Sequence, residues 1–306
     1  MAQVGNDGDS GVIDISEMLF TVQGSTAGAI LMEWNVHESS QGSAAMWDSH
    51  FRVGGAEGTN LQPADCPTGQ IVVNSKCMAA SLLLHITKDS SGYFKNVWAW
   101  VADHGLDNPF NADPYETTDG IPLDGFGVLI ESQGPTWLYG TASEHSQTYQ
   151  YQLLNASNTY LGHMQTETPY WQPNPDALKP YQAGEFPSDL VYDNCADDLC
   201  KGAWALGVLG SIDVFIYSAG FYSLFQNNQL GCTDEAHIET NFASSLWVYI
   251  SSPRATSKSS RHAGDFHPWS STPPRATDTP AALRHGSPFL HKERISDPLL
   301  AMDRAA

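Results

Sequence analysis

Two glutamates, Glu144 and Glu167, stand 23 residues apart in the stretch GTASEHSQTYQYQLLNASNTYLGHMQTETPYW, each set among hydroxyls, amides and aromatic rings rather than among lysines. Cleaving a glycosidic bond needs one protonated carboxyl to deliver a proton to the leaving oxygen and a second group to activate water or stabilise charge. Tyr149, Tyr151, Tyr160, Tyr170 and Trp171, with Trp137 upstream, offer flat apolar faces on which pyranose rings can stack. A third carboxylate, Glu131 in IESQGP, is a candidate for hydrogen bonds to sugar hydroxyls, and His145 and His104 are candidates to orient carboxylates. The competing reading makes the glutamates solvated strand residues and the rings core. No metal site is indicated, because Cys195 and Cys200 lack a second pair at zinc-site spacing, and no cofactor is expected.

The elements that must position these groups are strands. Short apolar runs rich in β-branched and aromatic residues follow one another from residue 11 to about 250, divided by Gly, Ser, Asn, Asp and Pro. Hardly any window keeps the i, i+3, i+4, i+7 pattern long enough for a helix, so the chain reads as all-β. Sandwich, barrel and β-helix are the architectures open to it. Short strands, Ser/Asn/Thr-rich corners and a loose recurrence of roughly twenty residues favour stacked coils of a parallel β-helix. The apolar run 203–225 is broken by Gly207, Gly210, Asp213 and Gly220 and reads as two buried strands around a turn rather than a membrane helix.

Composition narrows the partners. The 306 residues are 41% hydrophobic, enough for a large core. Their net charge of -20 repels nucleic acid, anionic lipid and polyanionic sugars, so a neutral substrate fits better. The first ten residues carry no basic start and no apolar h-region, so no signal peptide is expected in this chain. Cys66 with Cys77 and Cys195 with Cys200 form two short-range couples suited to disulfides in an oxidising compartment, leaving Cys232 over. Asn155-Ala156-Ser157 is a glycosylation sequon. The Pro- and Ser-rich segment 251–306 holds eight of the 14 Lys and Arg and is expected to be a disordered tail after a domain spanning 1–250.

Five strings taken together, VGNDGDSGVIDISEMLFTVQGSTAGAILMEWNVHE, GSAAMWDSHFRVGGAEGTNLQ, NVWAWVADHGLD, ESQGPTWLYGTASEHSQTYQYQL and QTETPYWQP, resemble the C-terminal half of glycoside hydrolase family 55, the fungal exo-β-1,3-glucanases. The resemblance implies a right-handed parallel β-helix that in the family lies beside a first β-helix, with the active site in the groove between them. It also implies an extracellular enzyme that releases glucose from the non-reducing end of β-1,3-glucan with inversion. Glu167 in QTETPYW matches the family's general acid, and Glu144 in GTASEH matches the second carboxylate, part of the network that positions and deprotonates water. One β-helix turn is about as long as the spacing between them, so the two are expected on neighbouring coils facing one groove. Adjacent strands lie ~4.8 Å apart, whereas a direct inverting pair wants ~6.5 to 9.5 Å, so Glu144 is expected to act from an offset position or through an intervening group. Desolvation by Tyr170 and Trp171 and the charge of Glu144 predict a raised pKa for Glu167. The family's signal peptide, first β-helix and closing coils are not found in the sequence, so a fragment with reduced or no activity is expected. The alternatives are a silent glucan-binding remnant and a polysaccharide lyase on the same scaffold. The lyase needs Arg or Lys with calcium, and the first 250 residues hold only six basic residues.

Overall fold

The computed structural model describes residues 1–62, 64–67, 72–103, 107, 123–179, 189–190, 192–193, 195, 201–222 and 227, and the backbone of 247–250 and 257–259. The described chain winds through three parallel faces, coil upon coil. The first face is β1 (Ala2–Val4), β5 (Ile30–Trp34), β9 (Met78–Ile86), β12 (Leu123–Ile130), β15 (Tyr149–Leu154) and β17 (Trp204–Leu209). The second is β3 (Ile13–Ser16), β7 (Ala44–Trp47), β10 (Gly92–Lys95), β13 (Thr136–Tyr139) and the first halves of β16 (Ser157–Glu167) and β18 (Ile212–Tyr222). The third is β4 (Leu19–Phe20), β8 (His50–Val53), β11 (Trp98–Val101), β14 (Ala142–Glu144) and the second halves of β16 and β18. Two short strands, β2 (Ser10–Gly11) and β6 (His37–Glu38), pair between the first and second faces. Among the described residues there is no α-helix, and a 3-10 turn at Ser75–Cys77 leads into β9. This is the parallel β-helix that the recurrence favoured.

Alternation sends every second side chain inward, and stacking brings inward residues of successive coils into rows, as at Met32, Leu84, Val128, Tyr151 and Leu206. A one-residue slip would turn each row out to water, so burial fixes the register. The shortest coil shows the same spacing on all three faces, where Phe126 pairs with Tyr149, Trp137 with Tyr160 and Glu144 with Glu167. Elsewhere long segments such as 54–77 and 168–203 enter between the third face and the next first face, which is why the recurrence reads as loose in the sequence.

The bend between the second and third faces is made at one place in every coil. Glu17, Asp48, Asn96, Gly140, His163 and Ser218 directly follow the paired row Ser16, Trp47, Lys95, Tyr139, Gly162 and Tyr217, and all six have φ between 48° and 65°. Asp, Asn and Gly enter this left-handed region most easily, and Asn96 Nδ2 donates to Asp48 Oδ1 at 2.6 Å to tie two bends together.

The run 203–225 forms β17 and β18 around the corner at Gly210 and Ser211, as expected for two strands, and no described helix is long and apolar enough to cross a membrane. Two antiparallel strands close the described end: β19 (Trp247–Ile250) pairs with β18, and β20 (Ser257–Ser259) with β17. The second lies past residue 250, where the domain is expected to end, and pairs along the edge of β17. The rest of the expected tail lies outside the described residues. Cys66 and Cys77 form a disulfide, and Cys195 is disulfide-bonded; Cys200, its expected partner, and Cys232 lie outside the described residues.

Candidate active site

The left-handed bend sets what the third face shows to solvent. Residues one and three places beyond it turn inward, as Phe51, Ala99, Ser143 and Thr166 do, all essentially buried. Four residues beyond it lies the row Arg52, Trp100, Glu144, Glu167 and Tyr222, each paired to the next. Two residues beyond it lies the row His50, Trp98, Ala142, Gln165 and Gly220. Glu144 and Glu167 are therefore direct neighbours on one wall, as the spacing predicts.

Gln165 joins them. Its Nε2 donates to Glu144 Oε1 at 3.0 Å and to Glu167 Oε1 at 3.4 Å. The two legs end to end fall short of the ~6.5 Å at which the separation of a direct inverting pair begins, with the Gln165 amide between the carboxyls. Trp98 Nε1 donates to the other Glu144 oxygen at 3.0 Å, and the Trp98 and Trp100 rings stack at 4.5 Å. On the far side of Glu167, Tyr170 donates its hydroxyl to Oε2 at 2.7 Å, and His145 Nε2 faces the same oxygen at 3.4 Å. His145 is itself in the left-handed region, with φ 66°, and its Nδ1 donates to the Val101 carbonyl at 2.9 Å. The segment carrying Tyr170 is pinned to the link after β14: Trp171 Nε1 donates to Gln147 Oε1 at 2.9 Å, and Gln172 Nε2 to the Gln147 carbonyl at 2.7 Å.

These contacts divide the charge unevenly. Burial pushes Glu144 up to about 7, against the nearby His145 charge and with help from Glu167 and Asp103. Burial also pushes Glu167 up, but the hydrogen bonds from His145 and Tyr170 and the charge of His145 outweigh it and hold this carboxyl below its ordinary value. His145 would lose its proton to burial alone; Glu167, Asp103 and Glu144 reverse that and raise it to about 9. Burial and the neighbouring carboxylates keep the Tyr170 phenol protonated. The site pairs a carboxylate at Glu167 with an imidazolium at His145, beside a Glu144 whose burial favours its protonated form. This corrects the expected upward shift of Glu167: the tyrosine assigned to desolvate it is also its hydrogen-bond donor.

A cavity of about 300 Å3 adjoins this wall, lined by Glu17, Met18, Leu19, Asp48, His50, Arg52, Trp98 and Trp100. Burial lowers the pKa of His50 there, and Arg52 is engaged by Asp107, whose carboxyl that contact holds below its usual value.

The other predicted site residues are dispersed. Tyr149 has no exposed surface and packs on Phe126 at 5.0 Å, in a row with Leu82 and Trp204; it is core, because it begins a first-face strand beneath Leu190 and Tyr192. Tyr151 is likewise buried, its hydroxyl spent on Thr141. Trp171 is buried against Val73 and Met78, so it braces the site and offers no open face. Glu131 ends a first-face strand and pairs with His85 at 2.7 Å, away from the glutamates. Trp137 and Tyr160 lie on the second face. Asn155 is exposed at a corner. His104 lies outside the described residues. Gln165 and Trp98 were missed. Period-two alternation puts Gln165 on the side of Glu167, a signal available in QTE; Trp98 gives none, lying 46 residues before Glu144.

No family model matches the chain. It is 54% identical over 217 residues to the non-secreted LysM effector LysM15 of Penicillium expansum, covering 70% of this chain and 15% of that protein. It is 45% identical over 263 residues to a probable glucan endo-1,3-beta-glucosidase of Arthroderma benhamiae, covering 84% and 29%. To a glucan 1,3-beta-glucosidase of Cochliobolus carbonum it is 40% identical over 232 residues, covering 76% and 28%. The chain thus spans less than a third of the length of these relatives. Similarity of this extent to two glucan glucosidases, running through the coils that carry the paired glutamates, places the chain in the glycoside hydrolase family 55-like group.

Proposed function

We propose that this chain forms the carboxylate wall of a β-1,3-glucan hydrolase that works from the non-reducing end with inversion and releases glucose. The observation that carries the reading is the Glu144–Gln165–Glu167 bridge in a wall of tryptophan and tyrosine. Glu167 donates a proton to the glycosidic oxygen as the bond from that oxygen to the anomeric carbon breaks. Water attacks the anomeric carbon from the opposite side and yields a proton to ionised Glu144. The cavity beside Trp98 and Trp100 seats a neighbouring sugar unit.

Glu167 must take up a proton before it can give one. Burial is the largest influence on it and favours the protonated form. A sugar oxygen that draws away the Tyr170 hydroxyl and the His145 ring leaves burial in control, and Glu144, ionised in turn, becomes the acceptor of the water proton. A second reading exchanges the two roles, and the upward shift that burial gives Glu144 favours it. A lyase needs a free cationic base, whereas Arg52, the basic side chain in this row, is engaged by Asp107.

Glu144→Gln and Glu167→Gln, assayed on laminarin and on aryl β-laminaribiosides with strongly acidic phenols, separate these readings. Loss of the proton donor is masked when the leaving group needs no proton. Glu167→Gln is expected to keep turnover of the activated glycosides while losing laminarin, and Glu144→Gln to lose both. The reverse pattern assigns the exchanged roles, and equal loss everywhere contradicts both. Binding of laminarin by the parent chain with no turnover of any substrate identifies a silent remnant. We also read the chain as extracellular: the disulfide bonds at Cys66–Cys77 and Cys195 fit an oxidising compartment, although one relative bears the name non-secreted.

A further inference from the structure

The second face, one bend away from the glutamates, carries its own ordered set of rings. Tyr93, Trp137 and Tyr160 are register partners on three successive coils. They alternate with the inward Phe94, Leu138 and Leu161, which have at most 1% exposure. Trp47 packs on Tyr93 at 5.0 Å, and Tyr139 is 40% exposed in the next outward row. None of these rings serves the hydrophobic core, which runs inside the coils.

Gly162 explains how the rings lie. A Cβ at this position would come 2.8 Å from Tyr160 Cε1 and 3.1 Å from Tyr139 Cδ2. The two tyrosine rings therefore lean over the glycine and occupy the space a side chain there would need. Beside them Gln41, Gly42, Trp47, Tyr93 and Trp137 line a cleft of about 280 Å3. Around these rings the face offers tyrosine hydroxyls and amides, and Lys95 is the one charged side chain among the outward positions of β10 and β13.

Half-buried aromatic rings in an outward row, flanked by the exposed Tyr139, mark a binding surface. Their chemistry suits a ring with apolar C–H faces and a hydroxyl edge. Successive coils are ~4.8 Å apart, close to the length of one pyranose unit, so consecutive sugars meet consecutive rings. A charge of -20 turns away anionic polymers. We propose that the Tyr93–Trp137–Tyr160 row is a second, non-catalytic glucan-holding surface that binds a neutral β-linked glucan along the axis of the coils, parallel to the row of glutamates on the next face. The choice of glucan rests on the function proposed above; the platform itself does not depend on cleavage.

The test uses the full chain carrying Glu167→Gln, so that polymer is not consumed. Its migration through gels containing laminarin and its retention on insoluble β-1,3-glucan particles are compared with those of the same chain bearing Trp137→Ala with Tyr160→Ala, or Gly162→Ala. Circular dichroism verifies the fold of each. Losing stacked rings is expected to weaken binding about tenfold, the equivalent of one or two ring contacts. Gly162→Ala is expected to do the same by displacing the rings without deleting one. Undiminished binding by both folded variants overturns the proposal, as does loss of all binding through Trp98→Ala alone. If sedimentation shows a dimer that both variants break and that glucan leaves intact, the face is a contact between copies and the proposal fails. A parent chain that holds glucan through this face but never cleaves it supports the platform and sinks the proposed hydrolysis.

Discussion

Replacing Glu144 by glutamine is expected to stabilise the folded chain in a pH-dependent way. The carboxyl is 7% exposed and its pKa rises from 4.5 to about 7 on folding, chiefly through burial. Each unit is worth ~1.4 kcal/mol, so ionised Glu144 costs the folded state ~3 kcal/mol. The sign follows from proton counting. Between pH 4.5 and about 7 the folded chain holds a proton that the unfolded chain has released, so the Glu144 contribution to stability falls as pH rises and levels off above 7. Glutamine carries no charge and escapes this fall. Its carbonyl still accepts from Trp98 Nε1, and Gln165 can turn its amide over to meet the new NH2 group. His145, raised to about 9, stabilises the fold below that value in parent and variant alike, and Glu144 is the smallest of the causes named for its shift. Urea unfolding followed by tryptophan fluorescence at pH 5 and pH 8 checks this. The variant is expected within ~1 kcal/mol of the parent at pH 5 and ~3 kcal/mol above it at pH 8. Equal pH dependence in the two chains, or a variant weaker than the parent at pH 8, would refute the assignment of a buried, strained charge at Glu144.

Tyr170→Phe removes the 2.7 Å donor from Glu167, so the Glu167 pKa is expected to rise toward its ordinary value and, because the general acid must be protonated, the alkaline limb of the rate profile to move to higher pH. The same change should cost ~1.5 to 3 kcal/mol at pH 7, the worth of a hydrogen bond to a charged group, read by urea denaturation. Gly127→Ala places a Cβ 2.3 Å from Ser143 Oγ and 2.4 Å from the Gln150 carbonyl oxygen. That oxygen belongs to the backbone of the neighbouring first-face strand β15 and cannot swing aside, so a loss of ~3 kcal/mol or more, read by urea denaturation, is expected.

The pairing of Glu144 with Glu167 was legible because their separation is one coil, and the strand class because few windows hold a helical period. Part of the bend was legible too, since Asp48, Asn96 and Gly140 are residue types that enter left-handed backbone easily; Glu17, His163 and Ser218 occupy the same position without that signal. What stayed hidden depends on register between distant coils. Trp98 reaches Glu144 across 46 residues because a long segment intervenes at the opposite corner. Trp137 looked like a partner of the glutamates from its nearness in sequence, yet the bend at Gly140 turns it onto another face. The Glu167 pKa was not legible because residue type announces that Tyr170 is bulky and apolar, whereas only geometry reveals that His145 and the Tyr170 hydroxyl both meet the carboxylate.

The most direct test of the central claim is proton NMR of laminarin digestion by the intact chain beside its Glu167→Gln variant. Early release of glucose as the α-anomer by the parent, with a rate at least ~100-fold lower in the folded variant, is the expected result. Undiminished release by the variant, or a folded parent chain that binds laminarin and frees no sugar, would contradict the claim that these paired glutamates form a working hydrolytic site.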